Sequence, residues 1–136
     1  MNEPGAGADP VPQPSLDPRD DAARLLVDER RRTEARLVDL LGDHAAMVEA
    51  SRDSNADDEH DPEGATIAFE RSQVSSLVRQ ARAHLDEVAA AEHRLRAGTY
   101  GRCEECGAQI PPARLTARPV ARTCVACAGR ARLSRG

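Results

Sequence analysis

Two pairs of cysteines, Cys103-Glu-Glu-Cys106 and Cys124-Val-Ala-Cys127, stand 17 residues apart near one end of the chain, and no other feature limits its fold as strongly. Each C-x-x-C loop presents two thiolates on one side, and two such loops at this separation can close a tetrahedron around one metal ion at about 2.3 Å per sulfur. Four thiolates leave no open coordination position, so the pattern predicts a structural zinc site rather than a hydrolytic one. Gly107, immediately after the first pair, suits the tight turn such a loop needs. Arg102 and Arg122, beside the pairs, are candidates to offset the excess negative charge of a zinc–thiolate centre. The competing uses of these cysteines are a redox-active dithiol and an iron–sulfur cluster. A thioredoxin-like dithiol belongs beside a βαβ pattern, and no strands of that kind are visible.

Composition explains why such a chain needs a metal. Leu, Ile, Val and Phe together fill 23 of 136 positions, below the usual globular range, and much of the remaining apolar content is Ala, which buries little area. Thiolate–metal bonds supply stability that a thin core does not. Four cysteines in two close pairs fit a reducing compartment, where metal ligation is favoured over disulfides. No run approaches the ~18 apolar residues of a membrane span, and no basic stretch followed by an apolar one opens the chain. The expectation is a cytoplasmic protein with no membrane partner.

Residues 1–17 hold Pro4, Pro10, Pro12 and Pro14 among Gly5 and Gly7 and predict a disordered tail. Asp17-Pro18 then supplies a capping side chain and a proline at the first helical position, with Asp20 and Asp21 in the first turn. From there Leu26, Arg30, Thr33, Leu37, Leu40, His44 and Met47 recur at alternating spacings of four and three, the seam of a coiled coil with polar interruptions. Polar residues from Arg52 to His60 break the pattern, and Asp61-Pro62-Glu63 repeats the start signal. Ile67, Val74, Val78, Ala81, Leu85, Val88 and Leu95 then share one face as far as Ala97, and Gly98 ends the helix. Neither helix can bury its stripe alone, so the two fold back as an antiparallel hairpin about 45 to 50 Å long at 1.5 Å per residue. The expected organisation is mainly α: a tail over 1–17, a coiled-coil hairpin over 18–98 with an acidic tip at about 52–63, and a four-cysteine zinc finger over 99–136. A short helical or frayed end is expected from Ala128.

Charge is distributed unevenly along this plan. Residues 49–63 carry a formal −6, whereas residues 99–136 carry +5 before the thiolates are counted. An acidic head on a thin rod can be steered into a basic channel, and its carboxylates can hold or perturb a Mg²⁺ there. Every basic residue is Arg, which follows codon bias and weakens Arg as a functional signal. Sequence-specific nucleic-acid binding is not expected: no recognition-helix pattern is visible, the net charge is −4, and only Phe69 and Tyr100 offer aromatic rings. Phe69 is expected to pack at the tip end of the hairpin, with contact to a partner as the alternative. His44, His84 and His93 read as packing or surface residues.

The run Gly98-Thr-Tyr-Gly101-Arg-Cys103-x-x-Cys106-Gly107-x-x-Ile110, followed by Arg114-Leu115-x-Ala117-Arg118-Pro119-x-Ala121-x-x-Cys124-x-x-Cys127, resembles the C4-type zinc finger of the DksA/TraR family. The match includes many positions besides the cysteines, and the preceding hairpin extends it to roughly residues 18–132. The resemblance implies a bacterial transcription regulator that binds RNA polymerase through its secondary channel and no promoter sequence. It implies a coil tip with the pattern Asp-x-x-Asp-x-Ala near the polymerase catalytic centre, with the finger bracing the base of the coil. That pattern falls on His60, Glu63 and Ala65, so His60 stands where the family has its first acid, unless Asp61 takes that place by a one-residue shift. Better-known members bind guanosine tetraphosphate with basic side chains around the coil base. Arg118 is at a suitable position, the lysines they use are absent here, and this co-regulator is left open.

The reading is therefore a non-enzymatic, zinc-binding regulator with Cys103, Cys106, Cys124 and Cys127 as metal ligands and His60, Asp61, Glu63 and Ala65 as partner-binding residues. The alternatives are a zinc-stabilised coiled-coil adaptor for another protein and, more distantly, a dithiol redox protein.

Overall fold

The computed structural model describes residues 17–53 and 62–134. Residues 1–16 of the expected tail and the tip positions His60 and Asp61 lie outside the described residues. Four helices follow in order: α1 (Pro18–Asp53), α2 (Pro62–Ala97), α3 (Pro112–Ala117) and α4 (Val125–Ser134).

The start of α1 is set by Asp17. Its carboxylate accepts the Arg19 N–H at 2.9 Å and its carbonyl accepts the Asp20 N–H at 3.0 Å, while Pro18 occupies the position that has no use for an N–H. The helix then continues through the exposed Gly42 without a break. At the C-terminus of α2, beside the start of α1, Gly98 takes φ +80°, its N–H bonds to Leu95 O at 3.3 Å, and the Thr99 N–H reaches Arg94 O at 2.9 Å. This reciprocal pattern closes α2 and turns the chain toward the cysteines.

The two helices, 36 residues each, pair antiparallel. Leu26 meets Val88 and Ala91, Glu29 meets His84, and Thr33 shares a groove with Ala81, so partners descend as the α1 number rises. The expected seam faces inward on both helices. Leu26 and Val88 have no exposed surface, Thr33, Val78 and Ala81 are buried, and Leu37, Leu40, His44, Met47, Ile67, Val74, Leu85 and Leu95 are half-buried. Burying each large aliphatic side chain contributes about 1.5–3 kcal/mol. Thr33 is admitted because its hydroxyl donates to Glu29 O at 2.8 Å, one turn back.

The polar interruptions of the seam pair across it. Arg30 Nε and Nη2 donate to Glu92 Oε1 at 3.0 and 2.7 Å, and Glu29 Oε1 lies 2.7 Å from His84 Nε2 while Oε2 accepts from Arg32. The Arg32 guanidinium holds the Glu29 carboxyl below its ordinary value, against the opposing effect of burial and with further help from His84. These polar side chains take the place of apolar volume in a chain short of large aliphatics.

Two expectations need correction, and one further element appears. Phe69 does not pack in the hairpin: it is 64% exposed, because it follows Ile67 by two residues and so faces away from the inward row. Residues 112–117 form a short helix that was not anticipated, started by Pro112 at its first position and too brief to show a periodicity. The last helix begins at Val125, not Ala128, so Cys127 lies in its first turn.

Candidate metal centre

Each cysteine pair is built by a different local device. The first sits in a tight hairpin: Arg102 and Gln109 form an antiparallel bridge, the Cys103 N–H donates to Ala108 O at 2.8 Å, and the Gly107 N–H donates to Cys103 O at 3.0 Å. Gly107 takes φ +74°, a conformation that costs a side-chain-bearing residue energy, in agreement with the turn expected there. The second pair caps α4, with the Ala128 N–H bonded to Cys124 O at 2.9 Å, so the sulfurs of Cys124 and Cys127 lie at the positive end of a helix. A backbone bond ties the two loops together, from the Glu104 N–H to Arg122 O at 2.9 Å.

The result is a cluster in which all four Sγ atoms lie within 4.8 Å of one another, with Cys106 and Cys124 at 3.9 Å. A tetrahedral zinc site with bonds of about 2.3 Å has sulfur–sulfur edges of about 3.8 Å, so the donor set fits Zn²⁺ in both chemistry and spacing. The cluster is graded in burial: Cys103 and Cys127 are buried, Cys124 is intermediate and Cys106 is exposed.

The sulfurs also differ in acidity before metal enters. The N–H groups of Cys106 and Cys124 hold the Cys103 thiol down to about 6, and the latter lies 3.3 Å from its sulfur. Cys124 is lowered chiefly by the Cys127 N–H. Cys127 is pushed up to about 12, first by its hydrogen bond to Cys124 and then by burial. The free cluster therefore keeps a proton on its innermost helix-borne thiol, and metal replaces it.

The finger is anchored to the coil by a few contacts. Val120 packs into the cluster of Leu26, Val88 and Ala91, with Leu95 and Tyr100 alongside. The Tyr100 hydroxyl donates to Pro119 O at 2.8 Å, and Arg94 Nη2 reaches Val120 O at 3.4 Å. Burial pushes the Tyr100 phenol above its ordinary value. The Arg114 Nε donates to Thr123 O at 2.9 Å, so α3 props the strand of chain that leads into the second pair.

Of the residues read from sequence, the four cysteines come together. Glu63 lies in the first turn of α2 and Ala65 is exposed two residues on, while α1 ends at Asp53, so the acidic connection lies between the helix ends. Arg102 Nε donates to Gly107 O at 3.4 Å and serves the hairpin turn. The arginine that touches sulfur is Arg130, whose Nη2 lies 3.2 Å from Cys127 Sγ. Its one-turn spacing from Cys127 shows only with α4 beginning at Val125, three residues before the expected Ala128. Arg118 is exposed at the end of α3.

Residues 98–132 match the prokaryotic DksA/TraR C4-type zinc finger, and the four-cysteine cluster within them is built to hold one structural Zn²⁺. The fold is that of the transcription factor DksA2 from Pseudomonas aeruginosa, with a TM-score of 0.71, 26% identity, and coverage of 90% of this chain and 93% of that one. The chain is 39% identical over 56 residues to the uncharacterised protein YlyA of Bacillus subtilis, and 38% identical over 72 residues to general stress protein 16O of the same organism. These matches cover 41% and 53% of this chain and 45% and 44% of the relatives, so the chain aligns with less than half the length of either. Among the described residues no helix is long and apolar enough to cross a membrane.

Proposed function

We propose that this chain is a non-enzymatic, cytoplasmic transcription regulator that binds RNA polymerase by inserting its coiled coil into the secondary channel, with no promoter sequence of its own to read. The observation that carries the reading is the likeness to the transcription factor DksA2 over coil and finger together. Each helix of the hairpin is about 54 Å long at 1.5 Å per residue, long enough to reach into a deep channel. The formal −6 of residues 49–63 against the +5 of residues 99–136 gives the rod an electrostatic polarity that favours entry by its acidic end.

At that end Asp61 and Glu63 act on the polymerase catalytic centre through their carboxylates, with Ala65 close behind and His60 in the place of the family's first acid. The zinc finger's part is to hold the base of the coil through Val120 and Tyr100.

The test is binding of the zinc-loaded protein to core RNA polymerase, with a competitor that occupies the secondary channel and with a variant carrying Asp61→Ala and Glu63→Ala. Binding that the competitor abolishes is the expected result. Absence of binding at micromolar concentrations overturns the proposal and leaves an adaptor for another protein. The tip variant separates acids that add affinity from acids that act only after docking.

A further inference from the structure

The four sulfurs are not equally supported. Cys103 has a backbone donor at 3.3 Å, and Cys106 and Cys124 lie 3.9 Å apart. Cys127 has a charged side chain on it: Arg130 Nη2 at 3.2 Å, projecting from the next turn of α4. Three residues along a helix place two side chains on one face, so the guanidinium is carried to the thiolate by the helix itself. Arg132, five residues from Cys127, falls about 140° round the same helix and cannot share that contact.

The location adds to the chemistry. A surface groove of about 510 Å³, lined by Glu105, Cys106, Cys127, Arg130 and Ala131, opens beside the sulfurs. Arg130 therefore stands on the wet side of the cluster, where water and competing ligands reach it. Four thiolates on one Zn²⁺ leave a double negative charge, and a cationic donor on one sulfur stabilises that thiolate against leaving the metal.

We propose that Arg130 is a positioning residue of the zinc centre, its guanidinium holding the Cys127 thiolate in the ligand set and so setting how slowly the finger gives up its metal. Groups that orient and support metal ligands change metal affinity by about 10–100-fold when removed, and the exposure of Arg130 places it at the lower end.

The experiment is zinc transfer from the zinc-loaded full chain to an excess of an uncharged chelator, comparing the native protein with Arg130→Ala, Arg130→Gln, Arg130→Lys and Arg132→Ala. Release about tenfold faster in the Ala and Gln variants is expected, with Lys close to native and Arg132→Ala unchanged. The cobalt-loaded Arg130→Ala protein is also expected to show its sulfur-to-metal charge-transfer band at longer wavelength, because a thiolate that loses a donor becomes easier to oxidise. A merely structural role for Arg130 leaves that band in place. A native release rate in Arg130→Ala, equal acceleration in Arg132→Ala, an unmoved cobalt band, or failure of Lys to restore the rate each overturns the proposal. Should Arg130→Ala fail to fold with metal, the Gln and Lys variants carry the comparison.

Discussion

Tyr100 and Pro119 meet 19 residues apart in sequence, the phenol donating to the prolyl carbonyl at 2.8 Å, and this bond closes the finger onto the coil. The donor belongs to the turn that leaves α2, and the acceptor precedes Val120, the finger's residue in the coil core.

Tyr100→Phe keeps the ring and removes the donor, leaving a buried carbonyl unpaired at a cost of about 1–3 kcal/mol. Urea unfolding of the zinc-loaded protein should show that loss. Because burial raises the Tyr100 pKa above 10.0, the contribution is fully present below pH 10 and is lost as pH rises through the folded value. The Phe variant should lack this alkaline limb.

Glu29 gives the opposite limb. Its pKa is depressed below 4.5, first by the Arg32 hydrogen bond, so its contribution is present above that pH and is lost as pH falls through the folded value. Glu29→Gln should flatten the acid side of a urea-midpoint profile as the pH falls below 4.5. An unchanged profile sinks this assignment.

Leu26→Ala opens a cavity where α1, α2 and the finger share a core, and a fully buried leucine there carries about 2–5 kcal/mol. Val38→Ala, on the exposed side of the same helix, should stay within about 0.5 kcal/mol. Thermal unfolding of the two variants side by side checks the contrast.

Zinc removal should unfold the finger and spare much of the coil. The finger's own core consists of Cys103, Ile110 and Cys127 with Leu115 and Cys124, so most of its apolar contacts belong to the metal ligands themselves. Chelation should leave a strong helical circular dichroism signal from α1 and α2 while residues 99–124 lose hydrogen-exchange protection. Cys103→Ser, at 2% exposure, should be worse than Cys106→Ser at the exposed corner.

The coil was legible because its information is local. A row such as Val78, Ala81, Leu85 and Val88 announces a buried face by spacing alone, and Asp17-Pro18 and Gly98 mark helix ends through their own backbone chemistry. The cysteines were legible for the same reason. What escaped notice inside the finger depends on residues distant in the chain or on elements too short to repeat. Tyr100 showed only its ring, since nothing in the order of residues pairs it with Pro119. The second C-x-x-C looked like a loop when it is the first turn of α4, and that misplacement concealed Arg130. Phe69 attracted a packing role by its type, although its position two residues beyond Ile67 already turned it outward.

Among the described residues the finger holds the coil at one end, through Tyr100, Val120 and the turn at Gly98. Such a rod is a lever with its fulcrum at the zinc module. A change in tilt of about 5° there carries the far end of a ~54 Å helix through about 5 Å, more than the length of a carboxylate side chain. The aim of the far end of α1 and α2 is thus set by a handful of contacts around the metal, and small repackings at the fulcrum can redirect it without touching a single residue there.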